Sequence, residues 1–346
     1  MTDKDVLFQE IQDNPDLDQT HFCHYGWEGT GTFAFWKFAK AYYDSAEALF
    51  EKFKQSKGDY AILDGIGVTM CFLYRHFVEL SIKYLYLKYV CTSEDDFKDY
   101  LNINGHFLIE LWNAAKPELR VLRERVGSTV SLGVLEHYIK EFNDFDRDSM
   151  TMRYPVNKKL EPTNKQTRLD IFNLHDRMQE MFYAFDGLDG DLENQLKQSV
   201  DQKEIDTFLL VYQELRPKVY WFLDSMKPFA ESESDDITIT DLMDFLKSEQ
   251  KNNNTMVVFN KCSDDELIMF DTLYYTGRMI SCEELRLPKN PDEARQDVIT
   301  RCILNLKQDH LEFGKPKNDQ INIYAKLPSS IIRFVSKTVS IIDRDR

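Results

Sequence analysis

Four polar side chains, Arg75, His76, Glu79 and Lys83, interrupt the most apolar stretch of the chain, FLYRHFVELSIKYLYL at residues 72–87. Eleven of those sixteen residues are apolar or aromatic, which predicts a helix at the centre of a core. At about 100° per residue, the four polar side chains fall within about a quarter of the helix circumference. Arg75–Glu79 and Glu79–Lys83 are both i,i+4 pairs, which are neighbours on a helix surface.

This polar stripe supports two interpretations. Buried charges require partners, so the stripe could be an internal salt-bridge ladder that holds helices in register beside a solvated groove. Alternatively, two cations and a histidine flank a carboxylate and could bind a ligand such as a phosphate. His106 and Arg153, the latter in the loop sequence MRYP, could complete the stripe. The spacing leaves both interpretations open.

Composition indicates a packed, helical protein. Hydrophobic residues make up 42% of the 346 residues and aromatic residues 13%, which favours a globular core over disorder. The chain has only 13 Gly and 10 Pro, too few for the turns of a large sandwich or barrel. The formal net charge of −16 argues against a dedicated, sequence-independent nucleic-acid binder, but it leaves room for a nuclease with a local basic pocket.

The cysteines and histidines do not predict a metal site. Six cysteines are scattered without a CxxC pair, which is typical of a reducing, cytoplasmic environment. His21, Cys23 and His24 lie close together, but no second Cys/His pair follows at zinc-finger spacing. This spacing of cysteines and histidines leads us to expect no metal and no cofactor.

The N-terminus lacks the apolar region of a signal peptide, and we expect no segment to span a membrane.

The pattern of apolar residues predicts an all-α fold in two parts. Residues 1–30 form an N-terminal segment, residues 31–227 a helical bundle, residues 228–237 an acidic linker, and residues 238–346 a smaller, mostly helical lobe. Within that lobe, TMVVF at 255–259 and INIYAKL at 321–327 could pair as a short β-hairpin.

The central stretch resembles HEPN domains, which are helical-bundle modules. The resemblance rests on the E-L-x-x-K core of Glu79, Leu80 and Lys83, followed by GHFLIELW from Gly105. The loop sequence RYP at 153–155 and YYTGR at 274–278 are similar to recurring features of uncharacterised bacterial relatives. The resemblance covers roughly residues 30–225 and implies an all-α bundle.

The resemblance also implies a function. Many HEPN proteins are metal-independent ribonucleases of bacterial defence that bring an Arg-x4–6-His motif together across a homodimer. Arg168 and His175 match that spacing and would lie on one face of a helix. Chance alone gives about one such match in a chain of this composition, and Leu169 replaces the polar residue that usually follows the arginine.

Two functions therefore stay open at this point. The chain could be a ribonuclease effector of bacterial defence or stress response, with RNA as its substrate. It could instead be a non-catalytic module that binds a nucleotide or another ligand, or a partner protein such as an antitoxin. The resemblance implies a homodimer in either case, and we expect no membrane partner.

Overall fold

The structure is a computed structural model. It describes residues 31–56, 58–157, 159–163, 168–230, 272–274, 276–277, 279–280, 288–308 and 328–343. The predicted N-terminal segment 1–30, most of the predicted linker 228–237 and both predicted hairpin strands lie outside the described residues. The expected β-hairpin therefore stays a prediction.

The described residues confirm an all-α fold. The first helices are α1 (Thr32–Gln55), α2 (Tyr60–Leu85), which continues as a π-helical turn (Tyr86–Val90), α3 (Glu94–Asn104), α4 (Leu108–Val126), α5 (Leu132–Phe145) and α6 (Ile171–Gln198). They are followed by α7 (Gln202–Ala230), α8 (Pro291–Gln308) and α9 (Pro328–Ile342). Within the described ranges no strand forms, and β-type pairing is limited to an isolated bridge between Val156 and Pro162.

Local capping explains several helix ends that position the polar stripe. The side chain of Asp59 accepts a hydrogen bond from the backbone of Ala61 at 3.1 Å and starts α2. Ser93 accepts from the backbone of Asp96 at 3.1 Å, the cap that its sequence spacing predicts. Gly105 ends α3 with φ of +54°, a value that side-chain-bearing residues rarely adopt. The chain changes direction at Gly105, and His106 therefore lies just before α4 begins at Leu108.

The chain divides into two compact units. The N-terminal bundle spans residues 26–196 and contains α1–α5 with nearly all of α6, and the C-terminal unit contains α7–α9. The predicted bundle, residues 31–227, includes α7, whereas the apolar face of α7 packs in a separate core with α8 and α9. Tyr212 and Val219 of α7 share this core with Val298 and Val339.

Helix α2 is the central element of the N-terminal bundle, and it packs against α1 and α4. Half of its 26 residues are buried. Among the described helices, the segment Tyr60–Val90 alone is long and apolar enough to cross a membrane by length and composition, with a mean hydropathy of 1.3. Core helices of soluble proteins meet the same criterion, and the buried, paired charges of α2 fit that role.

Candidate functional site

The predicted stripe lies at the junction of three segments of the N-terminal bundle. Helix α2 presents Arg75, Glu79 and Lys83 on successive turns, the turn between α3 and α4 brings His106, and the end of α5 brings Asp146. We call these five residues the central cluster. The spacing predicts the contacts of Glu79 with Arg75 and Lys83, and His106 is the predicted companion of the stripe; the structure brings these four residues together.

Glu79 is the hub of the central cluster. One carboxylate oxygen, Oε1, accepts hydrogen bonds from Lys83 Nζ at 2.8 Å and from His106 Nδ1 at 2.7 Å. The other, Oε2, accepts from Arg75 Nη1 at 3.1 Å, and the side chain is 1% exposed. Burial raises the pKa of Glu79, but Lys83 and His106 outweigh burial, so its pKa lies below the ordinary value. Glu79 is therefore held as a carboxylate.

Arg75 ties α2 to two other segments through backbone carbonyls. Its Nη2 donates to the carbonyl of His106 at 2.8 Å, and its Nε donates to the carbonyl of Asp146 at 3.1 Å. The Asp146 carboxylate lies 3.4 Å from Nε, and its Oδ1 accepts from the backbone of Thr151 at 2.8 Å. Burial lowers the pKa of Arg75, while Asp146 and Glu79 oppose that shift. Sequence analysis did not assign Asp146 to the stripe.

His76 faces an aromatic environment beside the central cluster. Its ring stacks on Phe72 with centroids 5.7 Å apart and meets the edge of Tyr42 at 4.4 Å. Its Nδ1 is buried, lies 4.0 Å from Glu79 Oε2 and has no hydrogen-bond partner among the residues that the structure describes. Burial is the main reason that the pKa of His76 is lowered. The neutral imidazole is therefore favoured in the folded protein.

Replacing His76 should reduce the acid sensitivity of the protein. Since the folded pKa of His76 is lower than the unfolded one, the unfolded state binds the proton first, and stability is lost as the pH falls through the folded pKa. In His76→Phe, the free energy of unfolding should fall less between about pH 7.5 and about pH 5.5 than in the wild type. Urea titrations at both pH values measure this difference. His137→Gln, which replaces an exposed histidine, is the control. The prediction is contradicted if the free energy of unfolding of His76→Phe falls between the two pH values by as much as that of His137→Gln and the wild type.

Arg153 lies at the solvent side of the stripe. Its guanidinium sits 5.7 Å from the centre of the Phe72 ring, and Nη2 donates to the hydroxyl of Ser149. The Arg153 side chain is close enough to Arg75 and His76 to lower the pKa of each. Arg153 therefore docks at the stripe, as its loop position suggested, but it contacts an aromatic ring and a hydroxyl rather than a carboxylate.

The formal charges of the central cluster and Arg153 together sum to one positive charge. Arg75, Lys83 and Arg153 contribute three positive charges, whereas Glu79 and Asp146 contribute two negative ones. The His106 side chain is 60% exposed, so its second ring nitrogen is accessible from the solvent. The central cluster thus joins three helical segments in its interior with balanced formal charges, and the exposed Arg153 beside it carries a positive charge that no carboxylate among its described contacts neutralises.

The structure does not place Arg168 and His175 on one helical face. Helix α6 begins at Ile171, so Arg168 lies in the exposed segment before it. His175 is buried within the bundle, where Nε2 lies 3.1 Å from Glu47 Oε2 and the ring stacks on Phe50 at 3.7 Å. The assumption of two continuous helical turns was therefore wrong, while the catalytic assignment itself stays a prediction.

A second buried polar cluster lies at the end of α2. Asp189 Oδ1 accepts from the Tyr84 hydroxyl at 2.9 Å, from Lys88 Nζ at 2.9 Å and from the Tyr89 hydroxyl at 2.6 Å. Lys88 also donates to Glu193 at 3.0 Å. Asp189 is a buried residue inside α6, although its local sequence, FDGLDGDLE, is polar and contains two glycines.

Comparison with known proteins assigns no family. No protein-family model matches the sequence, and no curated protein or solved structure is significantly similar to it. Among the described residues, no group of three or more His, Cys, Asp and Glu side chains is arranged to hold a metal ion. The fold and the site therefore define an all-α bundle with a charged, internally paired central cluster.

Proposed function

We propose that the chain is a HEPN-like helical module of bacterial defence or stress response that binds a phosphate-bearing ligand, such as a nucleotide, at the solvent edge of the central cluster. The single observation that carries the proposal is the exposed Arg153 guanidinium, which no carboxylate among its described contacts neutralises, at the edge of a cluster whose His106 is also exposed. The proposal includes a cytoplasmic location and a homodimer.

Two exposed side chains would make the contact with the phosphate. Arg153 pairs with no carboxylate among its described contacts, so its guanidinium is available for a bidentate contact with phosphate oxygens. His106 donates a hydrogen bond from Nδ1 to Glu79, and in its imidazolium form it can donate a second one from Nε2 to a phosphate oxygen. Against a formal net charge of −16, a local positive edge is also a selective place for an anion.

Ribonuclease activity is the alternative function. It requires Arg168 and His175 to reach the same RNA phosphate, and in this structure His175 is buried against Phe50 and held by Glu47. A general acid or base must come within hydrogen-bonding reach of the reacting group. The buried position of His175 therefore supports the binding function over cleavage at this pair.

The test measures the binding of ATP and inorganic phosphate to the full chain by calorimetry and by the shift in melting temperature. Wild-type protein should be stabilised by ATP. Arg153→Gln and His106→Gln should each weaken binding about tenfold, because each removes a charge-assisted contact. The exposed Arg120, on α4, provides a matched control, and Arg120→Gln should bind as the wild type does. Lys83 is a poorer choice, since its side chain is only 9% exposed and its replacement removes a buried positive charge beside Glu79, whereas His106→Gln keeps a hydrogen-bond donor at an exposed position.

Two results would contradict the proposal. One is the absence of stabilisation by ATP and by phosphate, and the other is an equal loss of affinity in Arg120→Gln. In parallel, RNA is incubated with the protein in the presence of a chelator. Cleavage that Arg168→Ala and His175→Ala both abolish would establish the ribonuclease function instead.

A further inference from the structure

A cavity of about 210 Å³ lies in the N-terminal bundle between α5 and α6. Its buried wall is apolar and contains Cys71 from α2, Phe142 from α5, and three methionines, Met152, Met178 and Met181. None of these residues belongs to the central cluster. Methionine side chains are flexible and polarizable, so such a wall can adapt to a ligand of irregular shape.

The mouth of the cavity is polar and carries a negative charge. Arg177 Nη1 lies 2.7 Å from Glu180 Oε1, and the Tyr138 hydroxyl donates a hydrogen bond to Glu180 Oε2 at 2.9 Å. Glu141 and Asp170 remain as two further carboxylates that line the mouth. Their nearest described partners are the His137 side chain and the backbone of Asn173, which leave the mouth negative overall.

We infer that this cavity binds a small molecule with one apolar ring and a positively charged amine. An apolar cavity of about 150 Å³ is known to take up benzene, so a cavity of this size accommodates a ring with a short side chain. The ring contacts the buried methionines and Cys71, and the amine lies at the mouth beside Glu141 and Asp170. This site is separate from the phosphate edge and does not depend on it.

Cys71 allows the occupancy of the cavity to be measured directly. The full chain is treated with N-ethylmaleimide, and the modification of each cysteine is followed by peptide mass spectrometry. Burial raises the pKa of the Cys71 thiol to about 11, so its reaction is slow and is sensitive to blockage of the cavity. Phenethylamine should slow the modification of Cys71, while Cys302, buried in the C-terminal unit, should react at an unchanged rate.

Related probes separate the role of the ring from that of the charge. Phenethyl alcohol keeps the ring and removes the charge, so it should bind about threefold more weakly than phenethylamine, as expected for one exposed ion pair. Phenylacetate carries the opposite charge and should protect Cys71 least. In Glu141→Gln, the preference for the amine over the alcohol should decrease. Equal protection by phenylacetate, or no protection by phenethylamine, would overturn the inference.

A size change at the mouth tests the location. Leu169 lines the cavity and is 46% exposed, so Leu169→Trp should fill the mouth without disturbing the core and should abolish protection. Leu210→Trp, at an exposed position on α7, is the matched control. Asn173→Phe is a second filling variant, for use if Leu169→Trp fails to fold. Wild-type protection in both filling variants would place the ligand elsewhere and overturn the inference.

Discussion

Glu79→Gln should destabilise the protein by about 3 to 5 kcal/mol, the usual cost of removing one partner from a buried ion pair. The Glu79 carboxylate accepts hydrogen bonds from Arg75, Lys83 and His106 and is 1% exposed. The amide keeps the shape of the side chain but removes its charge. Its NH2 group is a donor, and it replaces an oxygen that accepts a hydrogen bond in the wild type. Urea unfolding of the full chain at neutral pH measures the change.

An exposed pair of the same spacing provides the control for this experiment. Lys40 and Asp44 on α1 are 2.7 Å apart, with side chains 43% and 55% exposed. Asp44→Asn should cost less than about 1 kcal/mol, because water screens exposed ion pairs. If Glu79→Gln proves no more destabilising than Asp44→Asn, the central cluster is not the element that holds the bundle together.

The stripe was predictable because its members lie within one helix. Helical periodicity determines where i and i+4 residues lie, so Arg75, Glu79 and Lys83 could be paired from their spacing alone. The fold class was predictable for a similar reason, since apolar spacing and scarce Gly and Pro act locally. His106 was also indicated, because it belongs to GHFLIELW, the sequence from Gly105 that resembles HEPN domains.

Asp146 was not predictable, because its contact is tertiary. It lies 71 residues from Arg75 in the chain and contacts Arg75 Nε through its backbone carbonyl at 3.1 Å and its carboxylate at 3.4 Å. No local spacing marks a contact between residues so far apart in the chain. Asp146 is one of three alternating aspartates in FNDFDRDSM, and nothing in that local pattern indicates which of them is buried against Arg75.

The start of α6 shows a signal that was present but overlooked. Asp170 accepts a hydrogen bond from the backbone of Asn173 at 3.1 Å and caps the helix. Aspartate is a favoured residue at that position, so the helix begins after Asp170, and Arg168 lies outside it. Arg168 and His175 therefore do not lie on one helix, and helical periodicity does not determine their relative positions.

The buried position of Asp189 escaped sequence analysis for a different reason. Its surroundings, FDGLDGDLE, are polar and contain two glycines, a composition that usually indicates a solvated bend. Two of the three partners of Asp189, Lys88 and Tyr89, come from the π-helical turn at Tyr86–Val90, which changes the register of α2 at its end, and the third, Tyr84, lies in α2 itself. That change of register presents Lys88 and Tyr89 to the same carboxylate, and periodicity of an ordinary helix does not predict it.

Asp189→Asn should destabilise the protein by about 3 kcal/mol, since the carboxylate pairs with the buried Lys88 and accepts from two tyrosine hydroxyls. The effect should be smaller than that of Glu79→Gln, because Lys88 keeps Glu193 as a second partner at 3.0 Å. Asp191→Asn makes the same substitution two residues further along α6 and should change the free energy of unfolding by less than about 0.5 kcal/mol.

A pH measurement separates the loss of charge from a general loss of packing. Burial, followed by the Asp189 carboxylate, raises the pKa of the Tyr84 hydroxyl, and the pKa of Tyr89 is raised for the same reasons. Because these pKa values are higher in the folded protein than in the unfolded one, stability is lost as the pH rises above about 10. Asp189→Asn removes the carboxylate contribution, so its stability should fall less steeply over that range than that of the wild type. Parallel curves for the two proteins would show that Asp189 supports packing without controlling the charge of the tyrosines.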